Sequence, residues 1–184
     1  MRNLLFVTLL IAVAGSVTAE QERPSAAASS CADEPKLALL DFWLGEWTVT
    51  SDGQRVGTNR IARELDGCAV VERWQSALGG RGLSLFYVGP AGDDLKQVWV
   101  SSAALGPGGT KEKSLLTRAA DGTLVFQGIW WTEEGREVLD RTRLSPLGDG
   151  RVRQVIEVST DAGAHWTKTF DATYTPATNE SSSQ

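Results

Sequence analysis

Residues 40 to 53, "LDFWLGEWTVTSDG", decide how the chain is read. Ahead of Gly45, apolar residues recur at helical spacing through Leu37, Leu40, Phe42, Trp43 and Leu44. Asp33 is placed to cap and Pro35 suits a first turn, so the pattern predicts one short helix over 33–44, ended by Gly45. After Gly45 the period changes to two: Trp47 and Val49 alternate with Thr48 and Thr50, and "SDG" is a hairpin turn signal. Trp43 and Trp47 therefore flank the point where a helix closes onto a first strand.

Outward from that junction, the rest of the chain reads as short β segments: 46–51, 55–64, 68–76, 82–89, 94–102, 112–118, 123–131, 136–145, 151–159 and 165–174. Asp, Gly and Pro clusters such as "LDG", "GPAGDD", "AADG", "PLGDG" and "TDAG" separate them. Nearly every connection is too short for a crossover helix, so neighbours pair antiparallel. A meander of about ten strands removes its edges by closing on itself. The fold class expected is all-β: a closed antiparallel up-and-down barrel of about ten strands with one short N-terminal helix.

The opening "MRNLLFVTLLIAVAGSVTA" carries Arg2, an apolar run from Leu4 to Val13 and small residues ending at Ala19. It reads as a signal peptide over 1–19, because the run is shorter than the roughly 20 residues a membrane span needs. Cys31 lies too far along for a lipid anchor, so an exported, periplasmic or extracellular protein with no membrane anchor is expected. Residues 20–30 read as a flexible linker, 31–175 as the barrel domain and 176–184 as a disordered tail. The two cysteines, Cys31 and Cys68, allow one pairing. In an oxidising compartment a disulfide that pins the N-terminal arm is the expected outcome, since neither cysteine has neighbours suited to a metal pair or a catalytic thiol. The net charge of −5 becomes one unit more negative when Arg2 leaves with the leader. With no basic cluster, such a chain repels phosphate backbones, and no nucleic-acid partner is expected.

Alternation then groups side chains by face. Val70, Glu72 and Trp74 share one parity with Cys68; so do Leu95, Gln97, Trp99 and Ser101, and so do Val152, Gln154, Ile156 and Val158. Three strands thus set one polar residue two positions before a Trp or Ile. An amide or carboxylate buried there costs on the order of 1–3 kcal/mol unless it finds a partner across the barrel, a water or a ligand. On one reading Glu72, Gln97 and Gln154 anchor a small apolar or amphipathic molecule between Trp74 and Trp99, with Asn59 and Arg141 as further candidates. On the other, the polar residues satisfy one another in a self-filled barrel, a non-catalytic structural or interaction protein. No catalytic site is assigned: His165 is the single histidine, no Gly-x-Ser-x-Gly is present, and no ligand spacing implies a metal. A carboxylate pair of Glu72 with Asp140 or Glu157 is the remaining acid/base arrangement.

Gly45-Glu46-Trp47 after a short helical lead-in resembles the Gly-x-Trp opening of lipocalins and their calycin relatives. The longer run is similar to a group of small exported bacterial proteins of unknown function with a calycin-like β-barrel. It comprises Phe42 to Trp47, Gly57 to Ile61, Gly67-Cys68 with Glu72 and Trp74, Gln97 to Val100, Val152-Arg153-Gln154, and Ser159 to Tyr174. The resemblance implies the fold and brings no activity and no cofactor. It also implies that Trp47 plugs the closed end beneath Trp43, with Lys168 across its ring as a cation and Arg141 and Arg153 as rivals for that place. Nitrobindin-like relatives hold haem through a histidine, but His165 lies beside a turn in "TDAGAHW", where a solvent-facing residue is expected.

Overall fold

The structure is a computed structural model and describes residues 31–102 and 110–178; the expected signal peptide and linker, and all but the first residues of the expected tail, lie outside them. Ten strands follow a short helical lead-in. They are β1 (Gly45–Ser51), β2 (Gln54–Glu64), β3 (Ala69–Ser76), β4 (Arg81–Val88), β5 (Leu95–Ser101), β6 (Thr110–Arg118), β7 (Leu124–Trp131), β8 (Glu137–Leu147), β9 (Arg151–Ser159) and β10 (Thr167–Pro176). Every neighbouring pair is antiparallel, and β1 pairs with both β2 and β10, so the sheet closes into a barrel. Closure leaves no unpaired edge.

The helix expected over 33–44 is broken into pieces. A four-residue helix α1 (Pro35–Ala38) lies between two 3-10 turns, Cys31–Asp33 and Asp41–Trp43. Glu34, not Asp33, caps α1, its carboxylate accepting from the Lys36 N–H at 3.0 Å, with Pro35 at the first helical position. The reason for the break lies in the spacing of Leu37, Leu40 and Trp43, which are three apart and at most 1% exposed. A winding of three residues per turn lines such residues up on one side, where 3.6 per turn would fan them out.

Gly45 then turns the chain into β1 with φ of +136°, a conformation L side chains rarely adopt. That turn brings the Trp47 indole N–H to the Trp43 carbonyl at 3.0 Å. Trp43 meets Phe86 and Tyr174 edge to face at 5.8 and 5.9 Å, and Trp47 meets Tyr174 at 6.3 Å. The two tryptophans are thus the stopper of one barrel end, with Leu37, Val49, Ile61, Val70, Leu95 and Val152 packed around them in a single core. Each such side chain contributes roughly 1.5–3 kcal/mol through burial.

The cation expected over Trp47 is elsewhere. Lys168 is exposed and donates to Asp171, as does Arg153, while Arg141 lies over Trp166. A register shift in β10 between Lys168 and Phe170 takes Lys168 out of step with the side chains that follow it on the strand.

The disulfide joins Cys31 to Cys68 across a Cα–Cα distance of 4.6 Å. Cys68 closes the 3-10 turn Leu65–Gly67 just ahead of β3, one residue outside the strand in which the sequence placed it. The bond fastens the lead-in to the β2–β3 turn, so the plug cannot swing away from the barrel end. Among the described residues no helix is long and apolar enough to cross a membrane.

Candidate ligand site

Inward-facing side chains change character along the barrel axis. Beyond the apolar plug lies a belt of hydrogen-bonding groups, and beyond the belt a cavity of about 270 Å³. Trp74, Trp99, Ile156 and Phe170 form its apolar wall; Glu72, Gln97, Gln154 and Tyr174 form its floor; Lys111, Lys113 and Thr142 stand on one side. A larger hollow of about 610 Å³ runs along β4–β7, but outward-facing Lys96, Glu112 and Ser114 border it, whereas the interior cavity is lined by residues that converge from opposite sides of the barrel.

Two glycines make room for the aromatic wall. A Cβ on Gly57 would stand 2.5 Å from the Trp74 ring, and one on Gly82 would overlap the Trp99 ring outright. Each indole therefore lies flat over bare backbone of the neighbouring strand, an arrangement that lets an aromatic ring cover a glycine in a sheet. Trp74 is also held edge to face against Phe170 at 6.2 Å.

The floor is one connected network. The Tyr174 hydroxyl donates to Gln154 Oε1 at 2.6 Å, and the Asn59 amide donates to Tyr174 Oη at 3.4 Å and to Glu72 Oε1 at 2.7 Å. The Ser84 hydroxyl donates to Glu72 Oε2 at 2.6 Å and accepts from Gln97 Nε2 at 3.0 Å. Because Ser84 gives its own proton to Glu72, its oxygen needs a donor, which orients the Gln97 amide. Gln97 Oε1 is then left buried with no hydrogen-bond partner among the described residues. Burial raises the pKa of Glu72, and the hydrogen bonds from Ser84 and Asn59 oppose that rise. Burial likewise pushes Tyr174 well above its ordinary value, and the Glu72 charge adds to the effect.

On the opposite side of the belt sits a charged cluster. Asp140, 1% exposed, takes Lys111 Nζ on Oδ2 and Lys113 Nζ on Oδ1. Lys113 also donates to Thr142 Oγ1 at 2.6 Å, and Lys111 lies 5.2 Å from the Trp130 ring centroid as a cation-π contact. Burial lowers the pKa of Lys113, and Asp140 pulls it back up.

Of the residues singled out in the sequence, Glu72, Trp74, Gln97, Trp99 and Gln154 border this one cavity. Asn59 stands behind Glu72 as its hydrogen-bond donor and does not line the cavity. Arg141 is a correction: Asp140 and Thr142 on either side of it point inward, so it faces out, where it pairs with Glu157 and lies 3.8 Å from the Trp166 ring centroid. Glu157 is held there by Arg141 and Arg143, away from Glu72, and so the Glu72–Glu157 pair does not form. His165 is on the surface, hydrogen-bonded to Asp161. Sequence reasoning missed Lys111, Lys113, Phe170 and Tyr174. "TKEKSL" at 110–115 did hold a signal, since Lys111 and Lys113 share parity with Leu115.

Compared with known proteins, the chain matches no family model, and no curated protein matches it. What fold and site define is a class: a closed ten-stranded antiparallel β-barrel with a helical plug at one end and a polar-floored cavity toward the other. The architecture is consistent with a calycin-like barrel.

Proposed function

We propose that this is an exported binding protein that takes a small apolar or amphipathic molecule into the half of its barrel away from the helical lead-in. The observation that carries the reading is the cavity of about 270 Å³, where an aromatic wall faces a floor of fixed polar groups. Pockets that hold small molecules are concave, mostly apolar and carry a few placed polar groups that orient the guest. The unpartnered Gln97 Oε1 supports the reading further, because a buried acceptor without a donor is unfavourable until a water or guest supplies one. Export is supported by the leader-like first residues and by the Cys31–Cys68 disulfide, which fits a compartment outside the cytoplasm.

A second reading, the self-filled scaffold, is favoured by the bonding of Glu72, Ser84 and Gln97 into one chain and of Gln154 to Tyr174. Titration with octan-1-ol separates the two. A binding protein shows quenched or shifted tryptophan fluorescence and a raised melting temperature, both weakened in Trp99→Ala. A scaffold shows neither change up to the solubility limit of the alcohol.

A further inference from the structure

We propose that the guest carries an anionic head, a carboxylate or a group of like charge, and that Lys111 and Lys113 receive it. This deepens the binding reading above and rests on it.

Lys111 and Lys113 both border the cavity, yet they share one counter-ion, Asp140. Both Asp140 oxygens are taken, one by each lysine, so the cluster keeps one positive charge without a partner. An ammonium has three protons to donate. Lys113 donates one to Thr142 and stands in ion-pair contact with Asp140 Oδ1, and Lys111 donates one to Asp140 Oδ2 while its charge rests against Trp130. Protons and charge remain on both, beside the cavity.

On the far side Glu72 attracts Lys113 through space and makes no ion-pair contact with it. Glu72 spends both oxygens on neutral donors, Asn59 and Ser84, and no ion pair joins it to either lysine among the described residues. Lys113 is itself pushed toward the neutral form by burial, so an arriving anion would help hold its proton in place.

A cationic head is the less favourable guest for the same reasons. Among the described residues that line the cavity, the buried acceptor without a partner is the uncharged Gln97 Oε1, and a second ammonium would face two lysines already sharing one aspartate. The apolar wall of Trp74, Trp99, Ile156 and Phe170 then suits the body of the guest. An anion in a partly desolvated site beside two ammonium groups forms charge-assisted hydrogen bonds, about twice as strong as neutral ones.

Three probes with one eight-carbon chain test this on the wild-type protein by isothermal titration calorimetry at neutral pH: octanoate, octan-1-ol and octylammonium. Octanoate is expected to bind at least about tenfold more tightly than octan-1-ol, with octylammonium weakest. Equal affinities for octanoate and octan-1-ol, or a preference for octylammonium, would overturn the anionic head while leaving amphiphile binding in place. No heat from any of the three would overturn the binding reading itself. Lys111→Gln supplies a second arm, since Lys111 is the more accessible lysine and Lys113 keeps its pairing with Asp140. The substitution is expected to weaken octanoate about tenfold and octan-1-ol less than twofold, with Lys111→Arg restoring octanoate. An equal loss for both probes would contradict the assignment.

Discussion

Both ends of the barrel use paired tryptophans, yet they are packed in opposite ways. Trp43 and Trp47, 0% and 4% exposed, are closed in by the lead-in, Phe86 and Tyr174. Trp74 and Trp99 are half-buried, lie over Gly57 and Gly82, and present a face to a cavity. A covalent tie, the Cys31–Cys68 bond, fixes the first end. The second depends on pairing between strands and on a charged cluster. An indole that is fully packed stabilises the fold, whereas one that lines a hollow leaves its contact surface for a guest.

That contrast is most sharply broken by truncating one ring at each end. Trp43→Ala is expected to cost about 3–5 kcal/mol in urea denaturation, the range for emptying a packed aromatic site. Trp99→Ala should cost only about 1 kcal/mol, because its ring already borders empty space. Equal losses would mean that the two ends are packed alike. Reduction of the disulfide comes next. The chain-entropy argument gives about 4 kcal/mol for a loop of this length, and about 2–4 kcal/mol is expected in a denaturation midpoint measured with and without reductant. A smaller effect follows from Gly82→Ala, where the added methyl meets the Trp99 ring. The ring must tilt, at a cost of about 1–3 kcal/mol, and the near-ultraviolet circular dichroism of the tryptophans should change with it.

The pH dependence is smaller and has opposite signs inside and outside the barrel. Glu72 has a folded pKa raised by burial, so its linked stability is complete below the unfolded value and lost as pH rises through the folded one. Glu72→Gln should therefore gain on wild type in melting temperature between acid and neutral pH. On the outer face Asp171 has a lowered pKa because Arg153 and Lys168 donate to it. Its contribution is present above the unfolded value and lost as pH falls through the folded one. For a pair this exposed, Asp171→Asn should cost no more than about 1 kcal/mol at neutral pH and nothing in strong acid.

The sequence carried the fold in its turns. Asp-Gly separators and a period of two placed all ten strands to within a few residues, because hairpin chemistry is local and needs nothing from the rest of the chain. Alternation also grouped Glu72 with Trp74 and Gln97 with Trp99, whose shared cavity the structure displays. It did not reveal Lys111 and Lys113, because a lysine in a strand reads as solvent-facing until its partner Asp140 is brought opposite it by the pairing of β6, β7 and β8. Arg141 and Lys168 went astray for a related reason. The family resemblance offered both for the place over Trp47, and each instead has a carboxylate close by, Glu157 for Arg141 and Asp171 for Lys168.

The difference between the two ends can be read directly from the indole N–H signals of the seven tryptophans in a nitrogen-proton correlation spectrum during titration with octanoate. Saturable shifts are expected for Trp74 and Trp99, with Trp43 and Trp47 unmoved. Shifts confined to outer-face Trp131 and Trp166, or equal movement at Trp43 and Trp47, would contradict that expectation.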